Sequence, residues 1–191
     1  AAKEFEEITT YLYKDIAECG EEYEPDVLPK AEDDSTILFT TGTTGKSKGI
    51  LMSHYADVAV AGNVKFGTQM REDNVEIIPM PLNHSFSLRR YYANMLNGST
   101  VIFMDGVIFV SRFFDAIENH GACAPAMAPS ALAVIVKLSG DKLADYRDKI
   151  DYMQFGGSYM PDSDKDKVRE LLPNARLYNF YGSTEAGCSS I

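Results

Sequence analysis

Between residues 36 and 180 the chain alternates short apolar runs with longer helix-favouring stretches. The runs cover 36–41, 75–80, 100–104, 122–127, 152–155 and 176–180. Short, near-continuous apolar segments of this kind suit strands buried on both faces of a parallel sheet. Helices are predicted between them, over 54–66, 87–97, 110–119, 130–139 and 162–172. Ser53 stands where it can cap the first of these, and Pro161 where it can start the last. The pattern predicts an α/β fold: a mostly parallel sheet with helices on both faces.

Residues 1–34 differ in character. Phe5, Ile8, Leu12 and Ile16 recur at helical spacing, and an acidic, proline-containing stretch follows over 19–34. The expected organisation is therefore an N-terminal helix and linker over 1–34, then an α/β domain over 35–191. A chain of 191 residues can build a sizeable core. Its net charge of −10 argues against non-specific nucleic-acid binding, although a local loop can still be cationic. Cys19, Cys123 and Cys188 are far apart and make no CxxC pair, which suits a reducing compartment. The opening residues are charged, and no apolar run approaches the ~20 residues of a membrane span. A soluble, cytoplasmic protein is expected.

Four strands run into unusual loops: "TGTTGKSKG", "PLNHSF", "GGSYMP" and "YGSTEAG". In open α/β sheets, ligands bind beyond the carboxyl ends of the strands, so parallel strands would gather these four loops on one edge. The first contains Gly45-Lys46-Ser47 but is not a nucleotide-binding P-loop, because Thr40 stands where that motif needs its first glycine. A kinase-like or NTPase reading is disfavoured on that count. An anion site remains chemically sound: glycines admit backbone N–H groups, the hydroxyls donate, and Lys46 and Lys48 add charge. Taken alone, the loop is equally an ordinary surface loop.

Residues 40–49 resemble the phosphate-binding loop [ST]-[ST]-G-[ST]-T-G-x-P-K-G of adenylate-forming enzymes, with Ser47 in the usual proline position. That superfamily includes acyl-CoA synthetases, luciferases and adenylation domains. The later loops resemble its other motifs in the same order. Together the four span residues 36–187, most of the chain.

The resemblance implies ATP-dependent activation of a carboxylic acid to an acyl-adenylate, then thioester formation with CoA. It implies that Thr40, Thr41, Gly42, Thr43, Thr44, Gly45 and Lys48 hold the β- and γ-phosphates. Tyr181 would offer a face to adenine, with Gly157 and Ser158 behind the ring, and Gly156, Asn179 and Gly182 would complete the nucleotide-binding set. Thr184 would donate to the α-phosphate, Glu185 would hold Mg²⁺, and His84 would orient the reacting carboxylate. His84, Thr184, Glu185 and Lys48 are thus the expected catalytic residues. Apart from the motifs, a lone loop histidine, a core tyrosine and a helix-terminal glutamate are commoner explanations of His84, Tyr181 and Glu185. His54 and His120 are read as structural or surface residues.

The stretch "NHSFSL" holds no acid to receive an α-ammonium group, so a fatty, short-chain or aryl acid is expected rather than an amino acid. Residues 126–138 would line the acyl pocket by resemblance, with Ala126, Ala128 and Ala131 leaving room. The family's T-G-D motif, hinge and C-terminal lysine do not occur up to Ile191. The expectation is a fragment of a ligase's large N-terminal domain, lacking the C-terminal domain. It would bind nucleotide weakly, adenylate poorly or not at all, and expose apolar surface that favours self-association. A different class remains open: a non-catalytic α/β module that binds nucleotide or a protein partner.

Overall fold

The computed structural model describes residues 26–40 and 46–191, together with Lys14 and Glu18. The chain divides into two compact units, Ala1–Lys30 and Ala31–Ile191. In the first, Lys14 and Glu18 are helical and form an exposed i,i+4 ion pair at 3.6 Å. The rest of the helix expected over 1–18 lies outside the described residues.

In chain order the second unit contains β1 (Asp34–Thr40), β2 (Lys48–Ser53), α1 (His54–Gly67), β3 (Val75–Ile78), α2 (Ser85–Asn97), β4 (Thr100–Phe103) and α3 (Val110–Asn119). There follow β5 (Ala124–Met127), α4 (Pro129–Ser139), a 3₁₀ turn (Gly140–Tyr146), β6 (Tyr152–Phe155), α5 (Asp162–Leu171), β7 (Arg176–Asn179), β8 (Tyr181–Ser183) and β9 (Gly187–Ser190). Five strands form one parallel sheet in the order β4-β3-β5-β6-β7.

Alternate sheet residues face opposite sides. On one side Ile77, Met127, Met153 and Phe155 pack with Phe113 and Ile117 of α3, Ile135 of α4 and Val168 of α5. On the other side lie α1 and α2, where Ala61, Val64, Ala93 and Phe180 make a smaller apolar cluster. Helices on both faces of a parallel sheet are thus observed as expected.

The second side also holds a buried polar network. The Arg90 guanidinium of α2 forks onto the Glu76 carboxylate of β3, with Nε donating to Oε1 at 2.8 Å and Nη2 to Oε2. The Tyr152 hydroxyl of β6 donates to the same carboxylate at 3.2 Å. Strand β5 runs between β3 and β6, and its residues on this side, Ala124 and Ala126, are small enough for the phenol to pass over. Burial, the largest single influence, would lower the Arg90 pKa, but the Glu76 charge and hydrogen bond, with help from Tyr152, together outweigh it and the guanidinium stays charged. Burial, and then the same carboxylate, push the Tyr152 phenol well above its ordinary range.

The helix boundaries have local causes. Ser53 Oγ accepts from the Ala56 amide at 3.2 Å and caps α1. α2 ends on Gly98 in the left-handed region, φ 72°. Pro161 stands one residue before α5, whose first turn carries Asp162 and Asp164 against the helix dipole.

One expectation is corrected. The apolar run at 36–41 forms a strand, but that strand is not part of the parallel sheet. β1 pairs antiparallel with β2 in a separate hairpin, Thr40 opposite Lys48. Residues 41–47 suffice to return the chain antiparallel, whereas a parallel partner needs a crossover of about a dozen residues or more. The loop at 40–49 therefore does not share the sheet's carboxyl edge by being the end of a parallel strand. β2, β8 and β9 were not foreseen. Among the described residues no helix is long and apolar enough to cross a membrane.

Candidate functional site

Beyond the carboxyl ends of β3, β6 and β7 opens a cleft of about 170 Å³. Five of the residues singled out in the sequence line it: His84, Gly157, Tyr181, Gly182 and Thr184.

His84 leaves β3 through a tight turn. Its amide donates to the Pro81 carbonyl at 3.2 Å, and Ser87 Oγ donates to the His84 carbonyl at 2.9 Å. The residue then caps α2, its Nδ1 accepting from the Phe86 amide at 3.2 Å. With Nδ1 used as an acceptor, a neutral ring carries its proton on Nε2, which leaves that nitrogen as the donor.

Two glycines follow β6. The Gly156 amide donates to the Met127 carbonyl at 3.2 Å, and a Cβ on this residue would come within 2.7 Å of the Phe86 ring. Gly157 has φ 83°, which turns the backbone across the cleft mouth. Phe180, after β7, meets Phe86 edge-on with ring centroids 5.7 Å apart and closes the floor. Next to it Tyr181 is 74% exposed, a free ring face rather than a core aromatic.

The β8–β9 hairpin supplies the third wall. Gly182 lies against the Gly187 carbonyl so closely that a Cβ would collide with it. Thr184 Oγ1 donates to Ser85 Oγ of α2 at 3.4 Å, and Glu185 is exposed in the hairpin turn. Underneath, Arg89 Nη1 donates to the Ser183 carbonyl at 2.9 Å and Nη2 to the Thr184 carbonyl at 2.6 Å. Burial lowers the Arg89 pKa, and the nearby Asp57, Cys188 and Glu185 oppose that shift. Burial raises the Cys188 thiol in the same wall, with Arg90 and Arg89 pulling it back.

Other sequence-selected residues lie elsewhere. Thr40 and Lys48 face each other on the β1–β2 hairpin and do not line the cleft. Thr41, Gly42, Thr43, Thr44 and Gly45 lie outside the described residues. Gly156, Ser158, Asn179 and Glu185 adjoin cleft residues without lining it. Ala126, Ala128 and Ala131, expected in an acyl pocket, do not line it either, and Ala131 packs against the opposite apolar core.

Ser85, Phe86, Arg89, Arg90, Phe180 and Cys188 line the cleft without having been singled out. Their one signal was position: Ser85 through Arg90 continue directly from His84, and Phe180 and Cys188 flank the Tyr181–Gly187 motif. Among the described residues no group of three or more His, Cys, Asp or Glu side chains forms a metal cage. Glu185 offers a single hard oxygen donor, which suits a Mg²⁺ ion held otherwise by phosphates and water.

Hydroxyl, imidazole and buried guanidinium groups together with a flat exposed ring and open glycine backbone suit a planar base joined to an anion. The AMP-binding enzyme family matches residues 2–191. 4-Coumarate–CoA ligase 5 of Oryza sativa subsp. japonica is 29% identical over 171 residues, 85% of this chain and 31% of the relative. 4-Coumarate–CoA ligase 1 of Solanum tuberosum is 26% identical over 181 residues, 92% of this chain and 33% of the relative. The chain thus spans about a third of the length of the curated relatives it matches. The solved structure of o-succinylbenzoate CoA synthetase from Bacillus subtilis has the same fold, with TM-score 0.79 and 23% identity over 97% of this chain and 37% of that one.

Proposed function

The chain belongs to the AMP-binding enzyme family, and from that premise we propose that the cleft is where an acid is activated: R–COO⁻ + ATP → R–CO–AMP + pyrophosphate. The observation that carries this reading is the convergence of His84, Gly157, Tyr181 and Thr184, from three separate loops, on one cleft.

Attack of a carboxylate on the α-phosphorus needs alignment and charge neutralisation more than covalent help. Tyr181 stacks on adenine, and the backbone of Gly156, Gly157 and Ser158 receives the other face. Asn179 and Gly182 border the base. Thr184 donates to the α-phosphate, and His84 Nε2 holds the attacking carboxylate beside it. The β1–β2 loop, through Thr40, Thr41, Gly42, Thr43, Thr44, Gly45 and Lys48, grips the β- and γ-phosphates. Mg²⁺, when bound with ATP at Glu185, neutralises phosphate charge.

The absence of an acid between 83 and 88 disfavours an amino acid. Among fatty, short-chain and aryl acids, kinship with two 4-coumarate–CoA ligases favours an aryl acid, and favours CoA as the acceptor in the whole protein. Free Cys123 and Cys188 suit a reducing, cytoplasmic setting. Exposed Phe39, Val58, Phe66 and Met95 support self-association. The 191-residue chain is expected to bind nucleotide but to release pyrophosphate poorly.

Calorimetric titration with MgATP and a non-hydrolysable acyl-adenylate mimic tests the reading. Binding that weakens in both Glu185→Ala and Lys48→Ala supports it. A folded protein that binds neither ligand refutes it for this chain.

A further inference from the structure

Arg89 has the properties of a placed group rather than a surface cation. It is 5% exposed, and among the described residues it forms no ion pair with a carboxylate. Its acceptors among the described residues are main-chain carbonyls, of Ser183 and Thr184, and its Nε has no partner. Asp57 and Glu185 favour the charge from a distance, but without a direct ion pair its burial is costly, and its hydrogen bonds show what it is kept for.

The two carbonyls belong to the successive peptide groups on either side of the Thr184 Cα. A guanidinium is a rigid planar fork, so holding both carbonyls fixes the orientation of both peptides at once. These peptides determine where the Thr184 hydroxyl and the Glu185 carboxylate stand. Arg89 is itself carried by α2, the helix that His84 caps. A second link in the same direction runs from Thr184 Oγ1 to Ser85 Oγ at 3.4 Å. Gly187, with φ 75°, lets the hairpin pack against α1, where a Cβ would stand 2.9 Å from Val60, and Arg89 Cζ lies in ordinary contact range of the same position at 3.7 Å.

We propose that Arg89 is a positioning residue: by clipping the Ser183 and Thr184 carbonyls to α2, it sets Thr184 and Glu185 at a fixed place relative to His84. The inference rests on the proposed adenylating reading of the cleft. It assigns Arg89 first to the phosphate and metal side of the site, because its hydrogen bonds reach the peptides flanking Thr184 and not Tyr181 or Gly182, which begin β8.

The test titrates the 191-residue chain, Arg89→Met and Arg89→Lys with adenosine and with MgATP by calorimetry. Lysine keeps the charge and the stem but loses the fork. MgATP is expected to weaken by about tenfold or more in both variants, with adenosine within about twofold of the parent chain. Unchanged MgATP affinity, or an equal loss for both ligands, overturns the proposal. If Arg89→Met does not fold, Arg89→Lys decides by the same criteria. A parent chain that binds neither adenosine nor MgATP instead overturns the underlying reading of the cleft.

Discussion

The two sides of the parallel sheet are built by different rules. On the side of α3, α4 and α5, Ile77, Met127, Met153 and Phe155 join one continuous apolar core. On the side of α1 and α2, Glu76, Tyr152 and Gln154 are fully buried beneath Arg90 and Asn94. The buried side-chain atoms without a partner, among the described residues, lie on Arg89, Arg90, Asn94 and Gln154, all on the second side or in α2. Apolar packing is the cheaper way to fill an interior, so a polar network there costs stability. The polar side is the one beneath the cleft. The contrast assigns stability to one side and the placement of charge and donors to the other.

The largest effect that can break this contrast is at Glu76. Glu76→Ala leaves Arg90 charged and buried alone, with an expected loss of about 3–5 kcal/mol in urea unfolding. The paired change Glu76→Leu with Arg90→Met should recover most of it. A single-variant loss below about 1 kcal/mol would remove the ion pair from the account. Next comes Met153→Ala on the apolar side, expected to cost about 3 kcal/mol through lost burial and a cavity. MgATP affinity of the folded variant should stay unchanged, and a parallel loss of affinity would mean that the two sides are not separable.

Smaller still is Ser53→Ala, which removes the α1 cap and should lower stability by about 1 kcal/mol in thermal melts. Titration sharpens the comparison at both ends of the pH scale. Tyr152 has a raised pKa in the folded state, so its contribution is complete below the unfolded value near 10 and is lost as pH rises above it. By about pH 10.5 the loss should reach about 0.8 kcal/mol, and Tyr152→Phe should flatten that limb of the stability curve. At the outer surface of α5, the Lys165 hydrogen bond lowers the Asp162 pKa. Its contribution is present above the ordinary carboxylate range and is lost as pH falls through the lowered value. Because Asp162 is exposed and Lys165 only half-buried, Asp162→Asn should leave the acid midpoint almost unmoved.

The parallel strands were legible because burial on both faces favours near-continuous apolar runs, and Tyr152–Phe155, interrupted only by Gln154, was placed to the residue. The same rule misplaced β1. Its sequence is apolar, yet Ile37 is 57% and Phe39 71% exposed on a hairpin of its own. Composition records a residue's hydrophobicity and says nothing of what covers it. β8 and β9 are three and four residues long and rich in glycine and serine, so they carry no periodic signal. His84, Gly157, Tyr181 and Thr184 could be found because each sits in a motif at a strand exit. Arg89 could not, because an arginine on a helix ordinarily marks a solvated face and only the fold turns this one beneath the β8–β9 hairpin.

The separateness of the β1–β2 hairpin has a kinetic side. Its pairings join residues close along the chain, such as Thr40 with Lys48, whereas the parallel sheet joins distant ones, such as Glu76 with Ala124. Local pairings can open and re-form while the distant ones stay intact. Amide protons of β1 and β2 should therefore exchange with solvent through brief local openings, and those of β5 and β6 only when the whole sheet comes apart. A strand pair with its own clock can rearrange on a timescale at which the parallel sheet behaves as a rigid body.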